Sequence, residues 1–370
     1  MQVLGLDVGN GKVKCCWIQF EQQLAQSQII WDSLPLPFSA NRRQDFDLGL
    51  QTQILRFLDQ HKLRHSELEQ VVVCCSHSFS YPRYGESVAH LAEVLERFFA
   101  QQPVYLVRAD GQLTAASEMA ALPELARYAY VFTNFYGSAL LGSRLIQNGL
   151  ALDLGTTTLD IIPIQGGQID PIGLARPADY LRYRYCQGRI HWLGLTVIPL
   201  PSLAERVHLN GEAYQVVARD YRTDLLLALL PTAAQALLRR HAYHGHLPSA
   251  EQARQQLPQL IGLDDVLLSE AEILALRDVL FERLIDKVAA EIRAVAQNCF
   301  EQPLESLEVA AFALGEELVL QPALERAGFD LRRVKHLDLG REQALWSASS
   351  VFAMALLALE QGLGQPVALN

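Results

Sequence analysis

Ala151-Leu-Asp-Leu-Gly-Thr-Thr-Thr-Leu-Asp-Ile-Ile-Pro163 reads as strand, tight polar turn and return strand. Apolar residues flank Asp153, Gly155 opens the turn, and Leu159 to Ile164 resume the apolar run. Such a hairpin suits an anion. Gly155 lets backbone approach a ligand, and Thr156, Thr157 and Thr158 bring hydroxyl and amide donors. Asp153 and Asp160 bring carboxylates able to hold Mg2+ against phosphate oxygens. A plain β-hairpin with a threonine-rich turn carries the same residues, because Asp-x-Gly-Thr is common in turns.

The pattern occurs a second time, a domain's length upstream. Val3 to Val8 is apolar up to Asp7, Gly9, Asn10, Gly11 and Lys12 follow, and after Lys14 an apolar run spans Cys15 to Ile18. Each copy sets an aspartate two residues before a glycine. Two such loops facing each other can grip one phosphate chain, with Mg2+ between Asp7 and Asp153 and with Lys14 on phosphate oxygens.

The pair resembles the two phosphate loops of the superfamily of acetate and sugar kinases, Hsp70 and actin, in which two related lobes close on a nucleotide. The resemblance implies an α/β, two-lobed, ribonuclease H-like fold and aligns Lys14 with the phosphate-contacting lysine of the actin-type loop. Gly9, Asn10, Gly11 and Lys14 from one loop, and Gly155, Thr156, Thr157 and Thr158 from the other, are then the phosphate-binding residues. The superfamily's adenosine loop is matched by 311–320, where an apolar strand ends in Gly315 and a helix begins at Glu316. An ordinary strand-to-helix junction reads the same way.

A narrower resemblance covers nearly the whole chain. Leu152 to Ile164 is similar to the Asp-Ile-Gly-Ser-Thr-Thr-Thr-Asp-Ile-Ile-Pro segment of proteins linked to tetrahydromethanopterin-dependent one-carbon transfer. These are distant relatives of hydantoinase and oxoprolinase A subunits and include the methanofuran-pathway synthase. The runs Asp179 to Tyr185, Gln187 to Gly194, Thr196 to Pro199 and Arg219 to Asp224 follow the family's order. Two departures stand out. Leu195-Thr-Val197 lacks the arginine of the family's Arg-Thr-Pro, and 75–80 lacks both acids of its Thr-x-Glu-Leu-x-Asp segment.

Composition bounds the function. The chain's 370 residues, half of them hydrophobic and 19% charged, suffice for two globular domains. A formal charge of −10 without a Lys/Arg run argues against nucleic acid as the main partner. Met1 leads straight into a strand and no long uninterrupted apolar stretch follows, so neither signal peptide nor membrane span is expected, and the location expected is cytoplasmic. The paired Cys15-Cys16 and Cys74-Cys75, with Cys186 and Cys299, read as buried free thiols.

Working outward, the expected boundaries are a first lobe over 1–148 and a second over 149–340 with a helical insertion. A C-terminal helix in 341–370 is expected to pack back on the first lobe. Helices are expected over Phe46 to Gln60 with Leu48, Ile54, Leu55 and Leu58 on one face, over Thr114 to Leu122, over Phe132 to Leu145, over Asp224 to Leu238 and over Ser269 to Gln297. Leu181 to Ile198 mixes basic and aromatic residues, as a sheet edge or as a recognition segment. His241 to His246 lacks one-face spacing with acids and reads as a polar loop, not a metal site.

The residues point to a small-molecule diphosphate or nucleotide as partner, with a homodimer allowed. The narrower resemblance implies a Mg2+-dependent transferase that condenses a furanylmethyl diphosphate with the phenol of a glutamyl-tyramine and releases pyrophosphate. In that reading Asp7 and Asp153 hold the metal, and Asp160 or Glu316 assists deprotonation. The alternatives are an actin-like or Hsp70-like ATP-binding protein or kinase, and a diverged relative without activity.

Overall fold

The computed structural model describes residues 1–9, 11–36, 43–76, 81–170, 179–232, 234–235, 247–337 and 348–369. Its strands are β1 (Gln2–Val8), β2 (Lys12–Gln19), β3 (Gln28–Pro35), β4 (Gln70–Cys75), β5 (Val104–Val107), β6 (Leu113–Ala115), β7 (Asn148–Leu154), β8 (Leu159–Gln165), β9 (Gln168–Ile169), β10 (Ile190–His191), β11 (Arg206–Leu209), β12 (Glu212–Gln215), β13 (Glu308–Ala313) and β14 (Val334–Lys335). Its α-helices are α1 (Arg43–Gln60), α2 (Tyr84–Phe98), α3 (Glu124–Arg127), α4 (Asn134–Leu145), α5 (Asp179–Cys186), α6 (Asp224–Ala228), α7 (Ala250–Gln256), α8 (Glu270–Cys299), α9 (Gln321–Ala327) and α10 (Ser349–Leu363).

The chain divides into two compact units. Met1–Ala151, Ile164–Gln187 and Lys335–Asn370 make the first, and Leu152–Pro163 with Gly188–Val334 the second. The first holds a sheet of order β3-β2-β1-β4-β5-β6, in which β1 runs antiparallel to β2 and parallel to β4. Both faces of β1 are covered, which is why Val3, Leu4, Leu6 and Val8 form a nearly continuous apolar run. Helix α10 lies on that strand; its residues 351–356 are all buried, which is why it is apolar around its whole circumference there, and its last turn, from Gln361, is exposed. Gly5 sets the approach: a Cβ there would overlap the backbone of Val351 and Ala355.

The other main sheet has the order β10-β8-β7-β13-β14, with β9 on β8. That order repeats β3-β2-β1-β4-β5. In the second unit the 30-residue α8 starts from a capping box, Ser269 and Glu272 each bonding the other's backbone N–H.

Four expectations need correcting. On α1, Leu48 and Leu55 are exposed, while Phe46, Leu50, Ile54 and Phe57 are buried. Thr114 to Leu122 is no helix: Leu113–Ala115 pairs with β5 and one 3-10 turn follows. The helix expected over Asp224 to Leu238 is interrupted: α6 stops at Ala228, before Pro231; Thr232, Ala234 and Gln235 are helical again, and 236–238 lie outside the described residues. Cys186 is exposed, unlike the buried Cys15, Cys16, Cys74 and Cys75. The segment His241 to His246 lies outside the described residues. Among those described, no helix is long and apolar enough to cross a membrane.

Candidate phosphate-binding site

Two hairpin turns, one in each unit, are built alike. The N–H of Gly9 donates to Lys12 O, and that of Gly155 to Thr158 O, both at 2.9 Å. Val8 O accepts from Ser76 N–H at 2.9 Å, as Leu154 O accepts from Leu314 N–H at 2.8 Å. Gly11 O accepts from Leu36 N–H at 2.9 Å, as Thr157 O accepts from Gly194 N–H at 3.0 Å. These bonds match Asp7 with Asp153, Gly9 with Gly155, Lys12 with Thr158 and Lys14 with Asp160. The frame is duplicated, and its chemistry diverges where a lysine in one copy is matched in position by a carboxylate in the other.

In the first turn Asp7 and Lys14 are cross-strand partners. Lys14 Nζ lies 3.1 Å from Asp7 Oδ2. The Ser350 hydroxyl, brought by the first turn of α10, donates to the same oxygen at 2.6 Å and accepts from Lys14 Nζ at 3.3 Å. Asp7 is buried, so its charge is held by a cation and a hydroxyl. Burial and the neighbouring Lys14 push the Lys12 ammonium down to about 7. Burial and the Asp7 charge push the Cys74 thiol up. Gly9 and Gly11 occupy the turn; Asn10 lies outside the described residues.

In the second turn the carbonyls are taken from behind. Gly155, Thr156 and Thr157 accept from the amides of Leu195, Thr196 and Gly194 at 2.9, 3.0 and 3.0 Å. The Thr196 hydroxyl adds a second bond to Thr156 O at 3.2 Å. Gly194 is required here, because a Cβ would overlap the backbone of Thr156 and Thr157. Among the described residues the amides of Thr156, Thr157 and Thr158 donate to no backbone carbonyl. Carbonyls bonded on one side and successive amides left over make the turn a donor cradle. Thr158 Oγ1 lies 3.4 Å from Oδ2 of the buried Asp160 and donates to it. Asp153 is half-buried at the end of β7.

Behind Thr196 stands a group that the sequence had not marked as functional. Asp224 N–H donates to Thr196 O at 3.2 Å, and burial pushes the Asp224 carboxyl up to about 6 despite Arg222. The 311–320 segment ends β13 beside the second turn. Gly315 has φ +67°, the left-handed conformation that glycine adopts freely, and Glu316 opens a π-helical turn. Glu316 Oε1 accepts from Gln321 Nε2 at 3.2 Å.

Within 181–198 the buried Arg184 and Arg189 serve internal contacts, whereas Arg182, Tyr185 and Trp192 are exposed. The Arg184 guanidinium lies 3.8 Å from the Phe135 ring centre, and Arg189 Nη1 donates to Cys299 Sγ at 3.0 Å. Tyr180 donates to the carbonyls of Val131 and Phe132, both at 3.1 Å. Phe132 has φ +52°, a strained conformation for an aromatic residue. Among the described residues no group of three or more His, Cys, Asp and Glu converges on a point.

No protein-family profile matches the chain, and no curated protein is similar to it in sequence. Solved structures are similar in fold. The nucleotide-free form of acetone carboxylase, which carries out ATP-dependent acetone carboxylation, is 11% identical over 96% of this chain and 70% of its own, with a TM-score of 0.51. Ethanolamine utilization protein EutJ from Carboxydothermus hydrogenoformans is 12% identical over 96% and 90%, with a TM-score of 0.45. ROK hexokinase from Thermus thermophilus is 18% identical over 98% and 100%, with a TM-score of 0.40. The chain has the two-lobed α/β fold of actin, Hsp70 and the sugar kinases. Nothing in these likenesses is specific to the one-carbon-transfer family.

Proposed function

We propose that the chain is a Mg2+-dependent, ATP-binding enzyme that holds the nucleotide's phosphates on its hairpin turns and transfers or hydrolyses the terminal phosphoryl group. The observation that carries this reading is the repeated turn, with its threonine amides left over in one copy and its lysines clustered in the other. In phosphoryl transfer the protein contributes positioning and charge stabilisation more than covalent chemistry. Those are the resources seen here. The Thr156, Thr157 and Thr158 amides and hydroxyls orient phosphate oxygens, Lys14 adds charge, and Asp160 orients the Thr158 hydroxyl. The hard carboxylate oxygens of Asp7 and Asp153 suit Mg2+, which when bound neutralises charge developing on the phosphates. A metal at Asp7 shares that carboxylate with Lys14 and Ser350; Asp153 is the less buried of the two.

The test is phosphate release from Mg2+·ATP, with Asp153→Asn as the variant. A loss of roughly tenfold or more, with thermal stability retained, is the expected result. Unchanged turnover in that variant contradicts the assignment. Release of pyrophosphate from a furanylmethyl diphosphate, with no turnover of ATP, moves the chain to the transferase reading.

A further inference from the structure

The segment after α10 is held in an unusual way. Gly364, with φ +67°, ends the helix in the left-handed conformation, and its N–H donates to Glu360 O at 2.9 Å. The chain then folds back, and from Gln361 to Ala368 only Val367 is buried. Its peptide groups are gripped on both sides by charged side chains. Val367 N–H donates to Glu360 Oε1 at 2.8 Å, and Arg144 Nη1 from α4 donates to Val367 O at 3.1 Å. Arg144 Nη2 also reaches the Glu360 carboxylate at 2.7 and 2.9 Å, and the pair is mostly covered, 22% and 14% exposed.

Taking a guanidinium and a carboxylate out of water costs several kcal/mol per ion unless the geometry is good and the remaining hydrogen-bonding capacity is used. Here the Val367 backbone uses it. What the pair recognises is main chain, one N–H and one C=O of the same residue, and the only side chain of 361–368 that is buried is a small branched one. An acceptor and a donor fixed on two packed helices are the elements of a peptide site. We propose that Arg144 and Glu360 form a main-chain clamp for an extended peptide with a small β-branched residue after proline, and that Gln365–Leu369 occupies it as a resident ligand, exchangeable for such a segment of a partner protein. The inference is independent of the nucleotide reading.

The probe is a labelled synthetic peptide, Gly-Gln-Pro-Val-Ala-Leu, followed by fluorescence anisotropy. The protein is the full chain, its Val367→Asp variant and a chain ending at Gly364, each checked by thermal melting. A tethered segment competes at an effective concentration in the millimolar range. The peptide therefore binds the two released variants at least about tenfold more tightly than the parent chain. Adding Arg144→Met abolishes that binding, whereas a peptide with Asp in place of Val does not bind. Either released variant that is folded and fails to bind the peptide, or binding that survives Arg144→Met, overturns the proposal.

Discussion

Lys12 carries the sharpest consequence at the residue scale. Burial and Lys14 hold its ammonium at about 7, so much of it is neutral just above neutrality. A phosphate placed beside it favours the charged form, and binding then takes up a proton. Between roughly pH 7.5 and 9 the affinity for Mg2+·ATP falls as pH rises, by up to about tenfold per unit. Lys12→Met flattens that dependence, which titration calorimetry at several pH values reads directly. Asp224 works on stability. Its folded value near 6 stands above the ordinary 3.8, so stability is complete below the lower value and is lost as pH rises through the upper. The shift corresponds to at most about 3 kcal/mol. Asp224→Asn removes the slope, and urea unfolding at pH 4 and pH 7 shows the variant gaining on the parent between the two. Ser350→Ala, which strips a hydrogen bond from the buried Asp7 carboxylate, costs about 1–3 kcal/mol in the same assay. Ser350 was missed because its partner lies at the other end of the chain. The one local signal was a Ser349-Ser350 pair followed by the wholly apolar run Val351 to Leu359.

Elements were legible where spacing and turn chemistry agreed. Both hairpins followed from an aspartate, a glycine two residues on and apolar flanks. Helix α1 was found but its face was misread. Its buried residues are spaced as Phe46, Leu50, Ile54 and Phe57, and a helical count that admits Leu48 and Leu55 mixes two faces. For Thr114 to Leu122, pairing of Leu113–Ala115 with β5 overrode local propensity. The close approaches are a further element-scale property that no periodicity shows. Gly5→Ala drives a methyl into the backbone of α10 and costs about 1–3 kcal/mol or more. Gly194→Ala does the same behind the second turn. The two differ in their readout. Gly5→Ala lowers the melting temperature, whereas Gly194→Ala also displaces Thr156 and Thr157 and weakens nucleotide binding beyond its effect on melting.

For the whole molecule, the duplication organises the rest. The sequence showed two similar loops; the structure shows two similar sheets around them, matched down to individual hydrogen bonds. The short flanking strand β10, with two residues, carries too little pattern to be read in advance. Divergence between the copies, Lys14 against Asp160, assigns charge to one turn and backbone donors to the other. The most direct test of this account is calorimetric titration of Mg2+·ATP into the parent chain, Lys14→Met and Thr157→Pro, the last removing one amide and one hydroxyl donor. The account predicts saturable binding by the parent and a loss of about tenfold or more in each variant, from one charge-assisted contact removed. No binding by the parent, or binding unchanged in both variants, would contradict it.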